Sequence, residues 1–132
     1  MTVADVAELV LRERQSRDRG RWDRLRACYA PDSAVRLSWF RGSGEEFAAR
    51  SREMRGRGDV TRHRLGPPVV DLDGHRAIAE VSAAIELRTV LDGVEVDLTS
   101  YTRLLYLYGD DRPAEVAGLY DSLFTWLPGK AS

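Results

Sequence analysis

The sequence contains a single cysteine, Cys28, among its 132 residues, so no disulfide can form within the chain. A metal site that needs two cysteines cannot form within one chain either. A lone cysteine is typical of a protein that remains in a reducing compartment.

The chain also lacks an excess of one charge, because 20 Lys and Arg residues balance 21 Asp and Glu residues. A near-neutral chain creates no global field that would hold nucleic acid or an anionic membrane. The first residues lack the basic and apolar regions of a secretory signal, and no apolar run approaches the ~20 residues of a membrane-spanning helix. These absences predict a cytoplasmic protein without nucleic-acid or membrane partners.

What is present is the composition of an ordinary folded protein, with 43% apolar and 31% charged residues. The chain has no internal repeat and no low-complexity linker. We therefore expect one domain over residues 1–132.

Helical spacing dominates the first part of the chain. Apolar residues recur at i, i+3, i+4 and i+7 within residues 3–11, which predicts a first helix. Gly20 interrupts it, and a shorter second helix, expected to be a lid or wall, ends before Pro31. Ser43 and Glu46 have the spacing of a capping box, which predicts the start of a third helix.

Alternating apolar and polar residues predict β-strands in the rest of the chain. The predicted strands are residues 35–40, 61–72, 75–91, 94–108 and 116–126. Asp92 and Gly93 form a strong hairpin signal between the two longest strands. Helices followed by an antiparallel meander predict an α+β fold, with helices packed on one face of a bent sheet.

Several local sequences resemble the SnoaL-like branch of the nuclear transport factor 2-like (NTF2-like) superfamily over nearly the whole chain. They are DRGRWD at 18–23, SWFRG at 38–42, TRHRL at 61–65, DLDGHRA at 71–77 and SYTR at 100–103. The resemblance implies a cone-shaped fold in which N-terminal helices pack on a strongly curved antiparallel sheet. The superfamily includes ketosteroid isomerases, dehydratases, polyketide cyclases, epoxide hydrolases and members that only bind or dimerise, so fold alone leaves function open.

The leading candidates for acid–base chemistry are Asp18 and His63. In similar dehydratases, an aspartate that ends the first helix meets a histidine that begins the first long strand, and these positions match that motif. Imidazole titrates near neutrality and a carboxylate can orient it, so the pair needs no metal or cofactor. The alternative is that Asp18 caps a turn and that His63 is an exposed strand residue.

Glu13 occupies the position at which similar dehydratases have a tyrosine. It is a candidate second acid–base carboxylate if an apolar pocket raises its pKa. The alternative is an ion-paired residue on a solvated helix face, with arginine partners close in sequence.

Tyr101 and Arg103 share one face of a predicted strand, and one of its two faces must look into the cone. If theirs does, Tyr101 can donate to a substrate carbonyl and Arg103 can bind a carboxylate. The alternative is a face packed in a dimer. The apolar residues expected to form the walls of a substrate pocket, or else plain core, are Trp22, Trp39, Phe40, Phe47 and Met54.

These patterns together predict a cofactor-free lyase or isomerase that acts on an apolar polycyclic or steroid-like carbonyl compound. His63 would move the proton, and Asp18 would orient His63 or act as the base. A non-catalytic ligand-binding or interaction module with the same pocket is the alternative. Apolar residues of 94–108 on the outer face of a bent sheet, and the resemblance itself, predict a homodimer or a higher homo-oligomer.

Overall fold

The computed structural model describes the backbone of residues 2–74, 76–109, 112–120 and 125–128, and the side chains of residues 2–74 and 76–108. Three helices lie in the first half of the chain: α1 (Val3–Asp18), α2 (Trp22–Ala27) and α3 (Gly44–Gly56). The predicted capping box of α3 is confirmed, because the Ser43 hydroxyl accepts from the Glu46 backbone N–H and the Glu46 carboxylate accepts from that of Ser43. Gly20, with φ of +69°, ends the first helical segment.

Among the described residues, eight strands follow or separate the helices. They are β1 (Ala34–Arg36), β2 (Arg41–Gly42), β3 (Val60–Leu65), β4 (Val69–Asp73), β5 (Arg76–Leu91), β6 (Val94–Gly109), β7 (Arg112–Tyr120) and β8 (Thr125–Pro128). The sheet order is β2-β1-β7-β6-β5-β3, with β4 beside β5 and β8 beside β6. All described pairings are antiparallel except that of β1 with β7.

The long hairpin of β5 and β6 is the centre of the sheet. Its two strands pair along their whole length, from Arg76 opposite Gly109 to Leu91 opposite Val94. Asp92 and Gly93 both have positive φ, 51° and 79°, as a two-residue hairpin turn requires. The predicted hairpin is therefore confirmed.

Three predicted strand boundaries were wrong. The 61–72 segment divides into β3 and β4 because residues 66–68 are Gly-Pro-Pro, and proline has no N–H for the ladder. The 35–40 segment is a strand only to Arg36, after which the Leu37 N–H closes a turn on the Phe40 carbonyl at 2.8 Å. The predicted strand at 116–126 is also divided: β7 ends at Tyr120 and β8 begins at Thr125, with residues 121–124 outside the described residues.

Burial alternates along the hairpin, so one face of the sheet is covered by the helices and the other is more exposed. The inner face includes Ala79 and Val81 of β5 and Leu104 of β6, which join Val6 and Val10 of α1 in the core. This confirms helices packed on one face of the sheet. In the part of the chain that the structure describes, no helix is long and apolar enough to cross a membrane.

Candidate active site

The buried side of α1 changes from apolar to charged along its length. Val6 and Val10 are fully buried, and the same helical spacing then brings Glu13, Arg14 and Arg17 to the interior at 0%, 2% and 5% exposure. Charged side chains are rarely buried so fully unless they are paired. The C-terminal end of α1 is therefore a candidate functional site.

Asp18, the last residue of α1, holds His63 of β3 through both carboxylate oxygens. Oδ1 lies 2.6 Å from His63 Nδ1, and Oδ2 accepts the His63 backbone N–H at 2.7 Å. The Thr61 hydroxyl also donates to Oδ1, at 3.3 Å. The imidazole side chain is only 1% exposed, so the alternative of an exposed strand residue was wrong.

Local sequence explains why these two residues meet. Gly20 takes a left-handed conformation that L-residues with a side chain adopt poorly, so α1 ends and leaves Asp18 at its tip. Burial alternates along β3, which turns His63 inward between the exposed Arg62 and Arg64. Arg55 of α3 donates to the Asp18 carbonyl at 2.7 Å and holds the helix end.

At neutral pH, His63 is uncharged and Asp18 is ionised. Burial lowers the pKa of His63 to about 4, with the charges of Arg14 and Arg17 acting in the same direction and Asp18 opposing them. Partial burial opposes ionisation of Asp18, but the hydrogen bonds from the His63 ring and backbone, together with the charge of Arg17, act against it, and the pKa of Asp18 is lowered. The ring is therefore neutral beside a carboxylate.

The tautomer follows from these charge states. An ionised Asp18 can only accept, so Nδ1 of His63 carries the proton and the lone pair lies on Nε2. Nε2 is buried and has no hydrogen-bond partner among the described residues. An oriented imidazole with a bare Nε2 is the arrangement of a general base.

His63 borders a cavity of about 540 Å³ between α1, α3 and the inner face of the sheet. The lining comprises Arg14, Arg17, Leu37, Ser38, Trp39, Met54, Thr61, His63, Ile85, Leu87, Leu98, Ser100 and Leu104. Most of these side chains are apolar, and the volume lies within the range of small-molecule sites.

Glu13 does not belong to the described lining of this cavity. Its carboxylate binds Arg14 Nε at 2.6 Å and accepts from the hydroxyls of Tyr29 and Tyr106. The prediction of Glu13 as a second acid–base carboxylate was therefore wrong, because both oxygens are bound by other side chains and Glu13 is absent from the described lining. The solvated-face alternative was also wrong, since Glu13 is fully buried.

Tyr101 and Arg103 lie on the outer face of β6, where both are exposed. Of the two alternatives, the one in which the face of Tyr101 and Arg103 looks into the cone was therefore wrong. The opposite face, which carries Leu98, Ser100 and Leu104, borders the cavity instead. Neither Tyr101 nor Arg103 can reach a ligand in this cavity from the outer face.

The apolar residues expected to form the walls divide into two groups. Trp39 and Met54 line the cavity, and Trp39 is 42% exposed, which places its ring where the cavity meets solvent. Phe47 is fully buried behind Trp39, with ring centroids 5.9 Å apart, and Phe40 packs on the same cluster. Trp22 packs against the core, and the described lining contains no residue of α2, so that helix does not close this cavity.

Arg14 and Arg17 are the site residues that sequence reasoning missed. Arg17 donates to the hydroxyls of Ser51 and Thr61 and lies 5.5 Å from the centre of the Trp39 ring. Burial and the charge of Arg14 lower the pKa of Arg17 to about 10, which leaves it cationic at neutral pH. The sequence contained one signal for their burial. The helical spacing of Val6 and Val10 continues into the arginine-rich segment, which places Arg14 and Arg17 on the same face of α1.

Metal-ligating side chains do not cluster in the described residues, where no three His, Cys, Asp or Glu side chains come together. Cys28 is buried, its thiol faces the Arg24 carbonyl at 3.3 Å, and burial raises the thiol pKa to about 11. A thiol held in its protonated form is a poor nucleophile.

The chain belongs to the SnoaL-like domain family, whose model matches residues 2–121. It is also 30% identical over 95 residues to an uncharacterized protein of Emericella nidulans. That alignment covers 70% of this chain but only 40% of the relative, so the chain spans less than half the length of this curated protein.

Solved structures show the same NTF2-like cone. A proposed scytalone dehydratase from Novosphingobium aromaticivorans superposes with a TM-score of 0.74 at 14% identity, covering 92% of this chain and 85% of its own. An LEH-like epoxide hydrolase from Mycobacterium tuberculosis gives 0.66 at 16%, covering 89% and 84%. A proposed polyketide cyclase from Xanthomonas campestris gives 0.63 at 22%, covering 89% and 91%. At these identities the likeness establishes the fold alone.

Proposed function

We propose that this protein is a cofactor-free acid–base enzyme, a lyase or isomerase, in which His63 moves a proton of an apolar small molecule. One observation carries the proposal: His63, whose buried Nε2 has no partner among the described residues, lines a cavity of about 540 Å³, and Asp18 holds the other ring nitrogen at 2.6 Å. A neutral imidazole with a fixed tautomer and a free lone pair is prepared to accept a proton.

In the proposed reaction, Nε2 takes a proton from a carbon adjacent to a carbonyl group. The C–H electron pair becomes the enolate, and Asp18 stabilises the imidazolium that forms. In an isomerisation, His63 returns the same proton to another carbon. In a dehydration, it gives the proton to a departing hydroxyl group, so that water leaves and a C=C bond forms.

The cavity favours a ring-containing substrate. Its walls are mainly aliphatic and aromatic, with Trp39, Met54 and Leu98 among them, and such surfaces bind polycyclic or steroid-like carbonyl compounds through apolar contact. The named relatives include a proposed dehydratase and a proposed cyclase, and their names support the same class of chemistry.

The alternative is a module that binds a ligand in the cavity without turnover. The contact between Asp18 and His63 supports catalysis over this alternative, because a purely apolar binding site gains nothing from a buried, oriented base. The cost of burying an unpaired imidazole nitrogen is also easier to understand if a substrate engages it.

The test begins with a thermal-shift screen of steroid ketones and polyketide-like aromatic ketones, since a ligand that binds the folded state raises its melting temperature. Each stabilising ketone is then incubated with enzyme in D₂O, and deuterium uptake at the carbon next to the carbonyl is followed by NMR. We expect uptake with the wild-type protein and its loss in His63→Ala.

His75→Ala is the matched control, because it removes the only other histidine of the sequence. Uptake should continue in this variant. If stabilising ketones are bound but none exchanges with the wild-type protein, the binding-module alternative replaces the proposal.

A further inference from the structure

Three buried polar atoms that belong to cavity-lining side chains lack hydrogen-bond partners among the described residues. They are Arg14 Nη2, His63 Nε2 and Ser100 Oγ, and all three are buried. An unsatisfied buried polar group costs about 1–3 kcal/mol, so three around one cavity indicate a ligand that engages them. The proposed proton transfer uses only His63 and leaves the other two unexplained.

We propose that Nη2 of Arg14 donates a hydrogen bond to the carbonyl oxygen of an enolisable substrate and stabilises the enolate oxygen that forms when His63 removes the proton. This inference rests on the proposed function for the reaction but assigns a different residue and a different contact. The guanidinium supplies a donor at the position where negative charge develops when His63 removes the proton.

The surroundings of Arg14 hold the guanidinium in one orientation. Its Nε binds Glu13 at 2.6 Å and donates to the Tyr106 hydroxyl at 2.9 Å. Tyr29 and Tyr106 both donate to Glu13, and the guanidinium carbon lies 5.6 Å from the centre of the Phe47 ring. A donor fixed by this many contacts needs little reorganisation when charge appears, which is the property of an effective oxyanion site.

Charge around the cavity favours a negative ligand atom. Arg14 and Arg17 both lie over Phe47, at 5.6 and 5.4 Å from its ring centre, so two buried cations share one small region. Burial opposes the charge on Arg14, but the adjacent Glu13 more than offsets this and raises its pKa, so the guanidinium stays charged. An oxyanion against Nη2 also reduces the repulsion between the two arginines.

Ser100 sets the length of the ligand. His63 pairs with Ile85 and Ile85 pairs with Ser100, so the three residues form one row across the inner face of the sheet. Two strand spacings separate the ends of this row by roughly 10 Å. A ligand of two or three fused rings is long enough to place its reacting carbon at His63 and a second hydroxyl or carbonyl group at Ser100.

Calorimetry with two probes of the same shape tests the assignment of Arg14. The probes are 2-naphthoate, which presents an anionic oxygen pair, and 2-naphthamide, which presents a neutral group. We expect the wild-type protein to prefer the carboxylate by about 10- to 100-fold, the difference expected of a hydrogen bond to a charged group.

Two variants remove the contact while protecting the fold. Arg14→Lys keeps a cation for Glu13 but replaces the planar fork with a point charge, and Glu13→Gln/Arg14→Met removes both charges together. Both variants should lose the preference for 2-naphthoate by at least about tenfold. Arg103→Met, the same kind of change on the outer face of β6, should keep it. Unfolding midpoints establish that each variant is folded.

His63→Ala separates this inference from the proposed function. The variant should lose deuterium exchange of ketones and keep its preference for 2-naphthoate. If the wild-type protein does not prefer 2-naphthoate, or if both Arg14 variants keep the wild-type preference, the assignment of Arg14 is overturned even where exchange by His63 is intact.

Discussion

The carboxylate of Asp18 contacts His63 twice, once at the imidazole Nδ1 and once at the backbone N–H. One side chain therefore sets both the direction of the ring and the position of the strand that carries it. In the proposed mechanism, Asp18 orients the base and His63 accepts the proton. The two roles can therefore be tested by different substitutions.

Asp18→Asn should lower the rate of proton exchange less than His63→Ala does. Loss of a general base costs about 10²–10⁴ in rate, whereas an asparagine whose side-chain oxygen accepts from Nδ1 keeps the tautomer and loses only the charge that stabilises the imidazolium. The rate of deuterium exchange for one ketone, measured in both variants, makes the comparison. Equal losses would contradict a role for Asp18 that is limited to orienting His63.

Lowering the pH from 6.5 towards 4 should destabilise the protein because of His63. Its pKa is about 4 in the folded chain and near 6.5 when unfolded, so the unfolded chain binds an extra proton between these values. This contribution to stability is complete above pH 6.5, and about 3 kcal/mol of it is lost by pH 4. Arg14 and Arg17 strengthen the effect and Asp18 opposes it.

Urea unfolding at several pH values measures this dependence. In His63→Gln the slope between pH 6.5 and 4 should be smaller by about one proton. Asp18, whose pKa is lowered, adds a separate loss below pH 3.8. An unchanged slope in His63→Gln would contradict a neutral, buried ring.

Tyr106→Phe should destabilise the fold by about 1–3 kcal/mol, because it deprives Arg14 and Glu13 of a shared hydroxyl. Tyr108→Phe is the matched control two residues away on the same strand face. The Tyr108 hydroxyl is buried without a partner among the described residues, so its removal should be neutral or stabilising. Equal effects of the two changes in urea unfolding would count against the network.

Trp39→Ala should weaken ligand binding more than folding, since Trp39 lines the cavity and is 42% exposed. The adjacent Phe40→Ala should do the reverse, with a loss of about 1–3 kcal/mol in the free energy of unfolding, because Phe40 packs on the core and not on the described lining. Affinity for a ketone from the thermal-shift screen and urea unfolding are measured on both variants. The opposite ranking would remove Trp39 from the site.

The outer face of the hairpin should support self-association. Ile78 and Leu107 lie directly opposite each other there, at 49% and 41% exposure, and Tyr101 is 49% exposed on the same face. A dimer would bury this apolar surface. Sedimentation should therefore detect a dimer at micromolar concentration and a monomer for Ile78→Lys/Leu107→Lys. A wild-type monomer throughout that range would contradict the prediction.

Local signals in the sequence were sufficient for the elements whose causes are local. The Ser43 capping box and the Asp92-Gly93 turn depend on residues within a few positions, and both are present in the structure. The proximity of Asp18 and His63 came from the family resemblance, because the two lie 45 residues apart and only the folded sheet brings them together.

Other features depend on partners that periodicity cannot reveal. Arg14 is buried because Tyr106, 92 residues away, shares its hydrogen bonds, and a charged helical residue otherwise belongs in solvent. The inward face of β6 was uncertain for a different reason. Both of its faces carry apolar side chains, so alternation identifies two faces without indicating which one the helices cover.

The placement of Arg14 and Asp18 on one helix affects how substitutions can change the reaction rate and the substrate range of the protein. The two residues are four positions apart, so they are separated by about 6 Å along one rigid helix. Any shift of α1 therefore moves both of them together. Small changes in packing at Val6 or Val10 would shift both groups against the bound molecule by the same amount. In laboratory evolution, we expect rate-altering substitutions in the distant half of α1, and changes of substrate range in the strands that form the opposite wall.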